Sequence, residues 1–126
     1  MNVKVKINYK NLAAIENIAA RSLAGTAEEI RKDVQQAETM PYDTGTLQDR
    51  STFVDISQIK DLKAIIASDT PYARRLYFHP EYNFNREHNK NAGGEWFEPY
   101  VTGEKQDYAQ RIFERFMHNG MKRLGG

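Results

Sequence analysis

The chain has 126 residues, 40% of them hydrophobic, which predicts one domain over residues 1–126 with a modest apolar core. A formal net charge of +1 gives no overall field that would attract the chain to nucleic acid or to an anionic membrane. The lack of cysteine excludes disulfides and thiolate zinc sites. Neither a signal-peptide pattern nor an apolar run of membrane-spanning length occurs, so we expect a cytoplasmic protein where it is made.

The N-terminal third predicts a strand and a long helix. Apolar residues alternate with lysine and asparagine over residues 2–8, as in a strand with one apolar face. Asn11 is a suitable N-cap for a helix that extends to about residue 38. Gly25 lies inside this helix and weakens it, so we expect a bend or a break there. The apolar stripe of the helix consists of Leu12, Ile15, Ala19, Leu23, Ile30, Val34 and Ala37.

A turn and a β-hairpin are predicted next. Pro41 ends the helix, and residues 43–45 supply turn chemistry. The runs STFVDI at 51–56 and KAIIAS at 63–68 are rich in β-branched or apolar residues, and a loose connection separates them. This pattern predicts an antiparallel hairpin.

A short central helix follows the hairpin. Thr70 is the predicted cap, and Pro71 suits the first helical position, where an amide is not needed. The helix is expected to end near Phe78, because His79 precedes a proline. The inward side is expected to carry Tyr72, Ala73, Leu76 and Tyr77, and the outward side Arg74 and Arg75.

The C-terminal half begins with a polar segment and ends with a helix. Residues 79–95 are rich in asparagine and predict a flexible loop whose aromatic residues order when a neighbour binds. Trp96 is expected in the core, and the last helix is predicted from Gly103 to Leu124. The first helix is net acidic and the last is net basic, which would favour docking of neighbouring surfaces.

The search for reaction chemistry finds no firm motif. There is no G-x-S-x-G elbow and no phosphate loop, so the sequence predicts no catalytic residue and no cofactor. A metal-dependent nuclease would need histidines and glutamates at ligand spacing, and the spacings here match no established pattern. A nucleic-acid-binding patch of arginines and aromatics is a further alternative. The residues considered for these two sites are His79, His88, His118, Glu81, Glu87 and Glu95 for the metal, and Arg74, Arg75, Arg86, Tyr72, Tyr77, Tyr82 and Phe84 for nucleic acid.

Three segments resemble one protein family. DTGTLQDRS at 43–51 resembles the T-G-x-L-x-x-S segment of tailed-phage minor capsid and head–tail connector proteins, and DTPYARRLYF at 69–78 resembles their S-x-x-P-Y-A-R-x-x-Y segment. GGEWFEPYVTGEKQDYAQRIFERF at 93–116 is similar to their G-x-x-W-F segment and terminal helix. The order and spacing of the three also match, so the resemblance covers nearly the whole chain. The fold-motif residues are Thr44, Gly45, Leu47, Pro71, Tyr72, Ala73, Trp96 and Phe97.

The resemblance implies a fold and a role. The fold is α+β, with a small mixed or antiparallel sheet packed by a long N-terminal helix, a short central helix and a C-terminal helix. The role is that of a non-enzymatic virion protein of a phage or prophage neck, a minor capsid, head–tail connector or tail-completion protein.

Such proteins assemble as rings, commonly sixfold or twelvefold, between the portal or its adaptor and the tail. The implied location is the virion, and the host cytoplasm during assembly, with no membrane partner. Non-specific contact with DNA in the channel stays open. The predicted interface residues are Arg74, Arg75, Tyr77, Phe78, Tyr82 and Phe84. Two other function classes also stay open, namely a small binding or regulatory module and a metal-dependent nuclease.

Overall fold

The computed structural model describes residues 9–41, 52–70 and 72–124 of the chain. It confirms the α+β class, because a long N-terminal helix, an antiparallel hairpin, short helices and a C-terminal helix pack together. The predicted strand at residues 2–8, and the motif residues Thr44, Gly45, Leu47 and Pro71, lie outside the described residues. The elements in chain order are α1 (Tyr9–Gln36), β1 (Thr52–Asp55), a 3-10 helix (Ile59–Asp61), β2 (Ile65–Ser68), α2 (Ala73–Tyr77), α3 (Glu98–Val101) and α4 (Tyr108–Leu124).

Helix α1 contributes one long face of the core. Ile30 and Val34 of the predicted stripe are buried, whereas Leu12 at its start is exposed. Thr26 is also buried, and its hydroxyl donates a hydrogen bond to the Ser22 carbonyl at 2.7 Å. This bond satisfies the hydroxyl inside the apolar stripe, so the polar residue does not interrupt the packing.

Helices α1 and α4 pack against each other through two glycines. The ring of Phe116 lies over Gly25, and a Cβ at Gly25 would lie 3.0 Å from the Phe116 Cζ atom. Gly120 of α4 faces Ile18 in the same way, so the two helices run antiparallel. The prediction of a break at Gly25 is wrong, because α1 continues through residue 36 and the missing side chain provides room for a ring.

Among the described side chains, no ion pair joins α1 to α4. Among the described side chains, the ion pairs within α1 join Arg31 to Glu28 and Lys32 to Glu29. Arg111 of α4 pairs with Asp107, one turn before it. The contact between these two helices is therefore made by close packing, and docking of neighbouring surfaces through the opposite net charges of α1 and α4 stays a prediction.

Helix α1 ends before Pro41 is reached. Its last residue is Gln36, and Glu38 adopts a left-handed conformation with φ of 57°. The Ala37 amide donates to the Asp33 carbonyl at 2.9 Å, which closes the last turn. The prediction that Pro41 ends the helix is corrected, because the reversal at Glu38 already redirects the backbone.

The β-hairpin confirms the predicted pairing. Thr52 pairs with Ser68 and Asp55 with Ile65, in antiparallel register. One face turns inward, where Thr52 is buried and Ile66 packs against the core. On the outer face, Phe53 and Ile65 are exposed. The hairpin therefore has one covered and one uncovered apolar face.

The core joins residues from distant parts of the described chain. Trp96 and Ala73 are each 2% exposed, which confirms their predicted burial. Phe97 is partly buried and packs against the same cluster. The buried members of the cluster are Ile30, Val34, Met40, Ala73 and Trp96.

The C-terminal helix begins later than predicted. α4 starts at Tyr108 rather than Gly103, and a separate short helix, α3, precedes it. Pro99 lies in the first turn of α3, where proline is favoured, because its missing amide is not needed there. α4 ends at Leu124 as predicted. Of the helices that the structure describes, none is long and apolar enough to cross a membrane.

A partly buried ion pair links α1 to the segment before α4. The carboxylate of Asp33 accepts hydrogen bonds from the Tyr100 hydroxyl and, at 2.8 Å, from the Lys105 ammonium group. Burial alone would raise the pKa of Asp33, but these two hydrogen bonds and the charge of Lys105 lower it below its usual value. The ionised form is therefore the one that the folded chain stabilises.

We expect Asp33→Asn to lower the free energy of unfolding by about 1–2 kcal/mol at neutral pH, since a charge-assisted hydrogen bond is lost. Because the folded pKa of Asp33 is depressed, its contribution is present above the unfolded pKa of about 3.9 and is lost as pH falls through the folded value. Urea unfolding between pH 7 and pH 2.5 should therefore show a shallower loss of stability in the variant.

A matched control is Asp55→Asn, which changes a surface carboxylate that accepts a hydrogen bond from the Ser57 amide within the same turn. It should have a much smaller effect at pH 7 than Asp33→Asn. Equal effects of the two substitutions would contradict the assignment of the stabilising contact to Asp33 and Lys105.

Candidate interaction surface

Helix α2 and the residues at its two ends place apolar side chains on opposite sides. Ala73 faces the core, whereas Phe78 is 64% exposed and Tyr72 is 44% exposed. Arg74 and Arg75 point outward, as predicted. The predicted inward position of Tyr72 is wrong, because Tyr72 is the N-cap residue and precedes the first helical turn.

The start of α2 also differs from the prediction. The helix begins at Ala73, and no side-chain hydrogen bond caps it. The Thr70 carbonyl accepts a hydrogen bond from the Ala73 amide at 3.1 Å, but the buried Thr70 hydroxyl has no hydrogen-bond partner among the described residues. A backbone turn, rather than a threonine cap, therefore begins the helix.

Tyr77 is the predicted interface residue with the most intramolecular contacts. Its hydroxyl donates to Glu98 at 3.2 Å, and its ring packs edge-on against Trp96 with centroids 4.9 Å apart. Burial, together with the Glu98 carboxylate, raises the pKa of Tyr77 to about 12. Tyr77 therefore links α2 to α3 and leaves only part of its ring for a partner.

Beyond α2, the chain forms a small aromatic group on the surface. Tyr82 stacks on His79, with ring centroids 4.7 Å apart, and lies 6.4 Å from the Phe84 ring. The Arg75 guanidinium donates to the Tyr82 hydroxyl at 3.3 Å. His79 also pairs with Glu81 at 2.7 Å, and this hydrogen bond lowers the pKa of Glu81. Arg75, Tyr82 and Phe84 therefore form one cluster on the surface, which no sequence motif predicts.

The asparagine-rich end of the loop packs against the residues that follow α1. Asn89 is buried, and its side-chain amide donates to the Met40 carbonyl at 2.8 Å. The Asn91 side chain donates to the Ala37 carbonyl at 3.0 Å. The Gly93 amide donates to the Thr39 carbonyl, also at 3.0 Å. The flexibility of residues 79–95 stays a prediction, but these bonds satisfy backbone carbonyls that would otherwise lack partners.

A groove of about 300 Å³ lies between β2 and α2. Residues 66–68 of β2 line it from one element, and Ala73, Arg74, Tyr77 and Phe78 line it from the other. Trp96 and Phe97 also line the groove. Arg74 is the only charged residue among the described residues that line it, so the groove is apolar with one positive group.

The metal-site alternative finds no assembled geometry in the part of the chain that the structure describes, whereas the nucleic-acid alternative stays a prediction. No group of three histidine, aspartate or glutamate side chains is close enough to hold a metal ion there. His79 pairs with Glu81, and His118 lies on the exposed side of α4. The Arg86 side chain donates a hydrogen bond to the Ala92 carbonyl at 3.3 Å, so it binds within the loop that follows α2.

The candidate site is a surface with three parts: the exposed residues of α2, the groove beside β2 and the aromatic group after α2. The resemblance of the three sequence segments to phage neck proteins remains a prediction. Comparisons of the chain with protein-family models, with curated proteins and with solved structures find no match.

Proposed function

We propose that this chain is a structural virion protein of a tailed phage or prophage. In this proposal it is a minor capsid, head–tail connector or tail-completion protein that forms a ring, of six or twelve copies, between the portal and the tail. Its partners are other copies of the chain, the portal or adaptor, and tail proteins. It performs no reaction.

The observation that carries the proposal is the exposure of large apolar side chains around α2. Phe78 and Tyr72 are the most exposed of these and lie at the two ends of α2, and exposed apolar surface of this kind is typical of an interaction site. Ala67 lines the groove beside Phe78 and also pairs with Phe53 across the hairpin. The uncovered apolar face of the hairpin therefore adjoins the groove beside α2. The two form a larger exposed apolar area than single exposed residues would.

The composition of this surface supports a protein partner. Interfaces are enriched in aromatic residues and arginine, and energetically dominant contacts favour tyrosine and arginine. Arg74 and Arg75 lie on α2 between Tyr72 and Phe78. The three motif resemblances add the second line of support, because they occur in the order that neck proteins have.

We expect the double substitution Tyr72→Ser with Phe78→Ser to abolish assembly without unfolding the chain. Both side chains are exposed in the monomer, so their loss removes interface contacts and little core packing. In the phage or prophage that encodes the chain, loss of the gene should leave heads and tails unjoined. The wild-type protein supplied in trans should restore virions, and the double variant should not.

The matched control is Val101→Ser with Leu124→Ser, which removes two exposed apolar residues from α3 and α4. This control should restore virions, and circular dichroism should show the same helix content for all three proteins. Normal virions in the absence of the gene, or full rescue by the Tyr72 and Phe78 variant, would overturn the proposal.

A further inference from the structure

The groove beside β2 combines an apolar surface with a strand edge. β2 pairs with β1 on one side, and within the described part of the chain no other backbone hydrogen bond reaches residues 65–68. An unpaired edge offers amide and carbonyl groups to any extended segment that approaches it. The groove lies at this strand, because residues 66–68 line it.

The edge lacks the usual protection against pairing. β2 has the sequence Ile-Ile-Ala-Ser, without a charged residue or a proline. Proteins that keep an edge unpaired commonly place lysine or proline there. Four residues of strand span roughly 13 Å, so the edge accommodates an extended segment of about four residues.

The side chains of the groove define what such a segment would carry. Phe78 and the accessible part of the Tyr77 ring offer apolar contact to alternate side chains of a strand. At the rim, Arg74 is exposed and forms no ion pair with a described residue, including Asp69 just after β2. An unpaired guanidinium beside backbone donors and acceptors favours a carboxylate in the segment.

We propose that this groove binds an extended segment of a partner protein, which adds to the sheet as a strand at the β2 edge. The segment carries apolar residues at alternate positions and an aspartate or glutamate that pairs with Arg74. The inference goes beyond the proposed function, and it rests on that function only for the view that the partner is another virion protein.

The charge of Arg74 distinguishes this occupant from the N-terminal segment of the chain itself. Residues 1–8 of the chain itself contain Lys4 and Lys6, which Arg74 would repel. A second copy of the chain is a further alternative occupant. Both are outcomes of the experiment below.

The experiment uses a displayed library of random seven-residue peptides, selected on the full-length chain. The selected peptides should show alternating apolar residues with one acidic residue. Their affinity should fall about tenfold or more in Arg74→Glu, the loss of one charge-assisted hydrogen bond. It should also fall in Phe78→Ser. Arg75→Glu is the matched control, because Arg75 is adjacent, binds Tyr82 and does not line the groove.

The site of binding is read from the indole proton of Trp96, the single tryptophan of the chain, by NMR. A selected peptide should shift this signal. The inference is overturned if no peptide is enriched, if the enriched peptides lack an acidic residue, if neither groove variant weakens them, or if the Trp96 signal does not move.

Two further results would assign the groove to another occupant and would also overturn the inference. One is a large gain in peptide affinity on deletion of residues 1–8, and the other is binding of a second full-length chain that Phe78→Ser abolishes. An empty selection combined with loss of assembly in the Tyr72 and Phe78 variant would refute the strand inference alone. Normal virions from that variant would instead refute the proposed function, whatever the library yields.

Discussion

Trp96→Ala is expected to lower the free energy of unfolding by about 3–5 kcal/mol, the range for loss of a fully packed aromatic side chain. Trp96 is 2% exposed and belongs to the core cluster, together with residues of α1 and α2 and with Met40. Its ring also packs against Tyr77 and Phe97. Since small domains are stable by only about 5–15 kcal/mol, this single change removes a large part of that margin.

The comparison with Trp96→Phe makes this prediction specific. The indole N–H of Trp96 is buried and has no hydrogen-bond partner among the described residues. Phenylalanine therefore retains most of the packing and loses no hydrogen bond, so it should cost much less than alanine. Urea unfolding followed by circular dichroism measures both variants, because tryptophan fluorescence is lost. Similar costs for the two substitutions would show that the indole N–H, and not ring packing, matters.

Gly120→Val is expected to lower the free energy of unfolding by roughly 2–3 kcal/mol through overpacking. A Cβ at Gly120 would lie 2.5 Å from the Ile18 Cγ2 atom, which belongs to a buried and β-branched side chain. Helix propensity alone predicts the opposite sign, since valine is somewhat more favourable than glycine in a helix. The sign of the measured change therefore tests whether α1 and α4 approach as closely as described.

A double-substitution cycle tests the identity of the contact. Ile18→Ala removes the atom that valine at residue 120 would meet, so Gly120→Val should cost less in that background than in the wild type. Asn119→Val, at the adjacent and exposed position of α4, is the matched control and should leave stability nearly unchanged. Additive costs at residues 18 and 120 would contradict the antiparallel contact.

The candidate surface differs from its sequence-based prediction in how its residues are grouped. The sequence predicted one common role, contact with a partner protein, for all six interface residues. The structure separates them into Arg74 and Phe78, which line the groove, and Arg75, Tyr82 and Phe84, which contact one another or lie in one aromatic group. Tyr77 lines the groove as well, but its ring and hydroxyl mainly contact other residues of the same chain. This division is what allows Arg74→Glu and Arg75→Glu to serve as test and control.

The asparagine-rich loop after α2 shows that one amino-acid composition is compatible with a flexible loop and with an ordered, hydrogen-bonded one. Asparagine-rich segments are typical of flexible loops, because asparagine favours turns and has little apolar surface. Asparagine also carries two amide donors that can bind backbone carbonyls. Asn89 and Asn91 use them on carbonyls after α1, a pairing across about fifty residues of sequence that no local pattern contains.

Several features followed from the sequence alone. The 3.6-residue spacing of apolar residues predicted the two long helices, since burial on one side requires that period, although their ends differ by several residues from the observed ones. The β-branched runs determined the hairpin. The proline after His79 predicted that the central helix ends near Phe78. The size and apolar character of Trp96 predicted its burial in the core.

Only the tertiary structure decided what the remaining residues do. Glycine at residue 25 by itself predicts a less stable helix. It allows close packing of α1 against α4 only because the Phe116 ring lies opposite to it. Tyr72 and Ala73 are adjacent in one motif, yet the first is exposed and the second buried, because Tyr72 precedes the helix and Ala73 begins it. The groove at β2 likewise requires a strand, a helix and Trp96 to meet. Local periodicity sets the elements, whereas close contact between distant residues depends on how those elements pack.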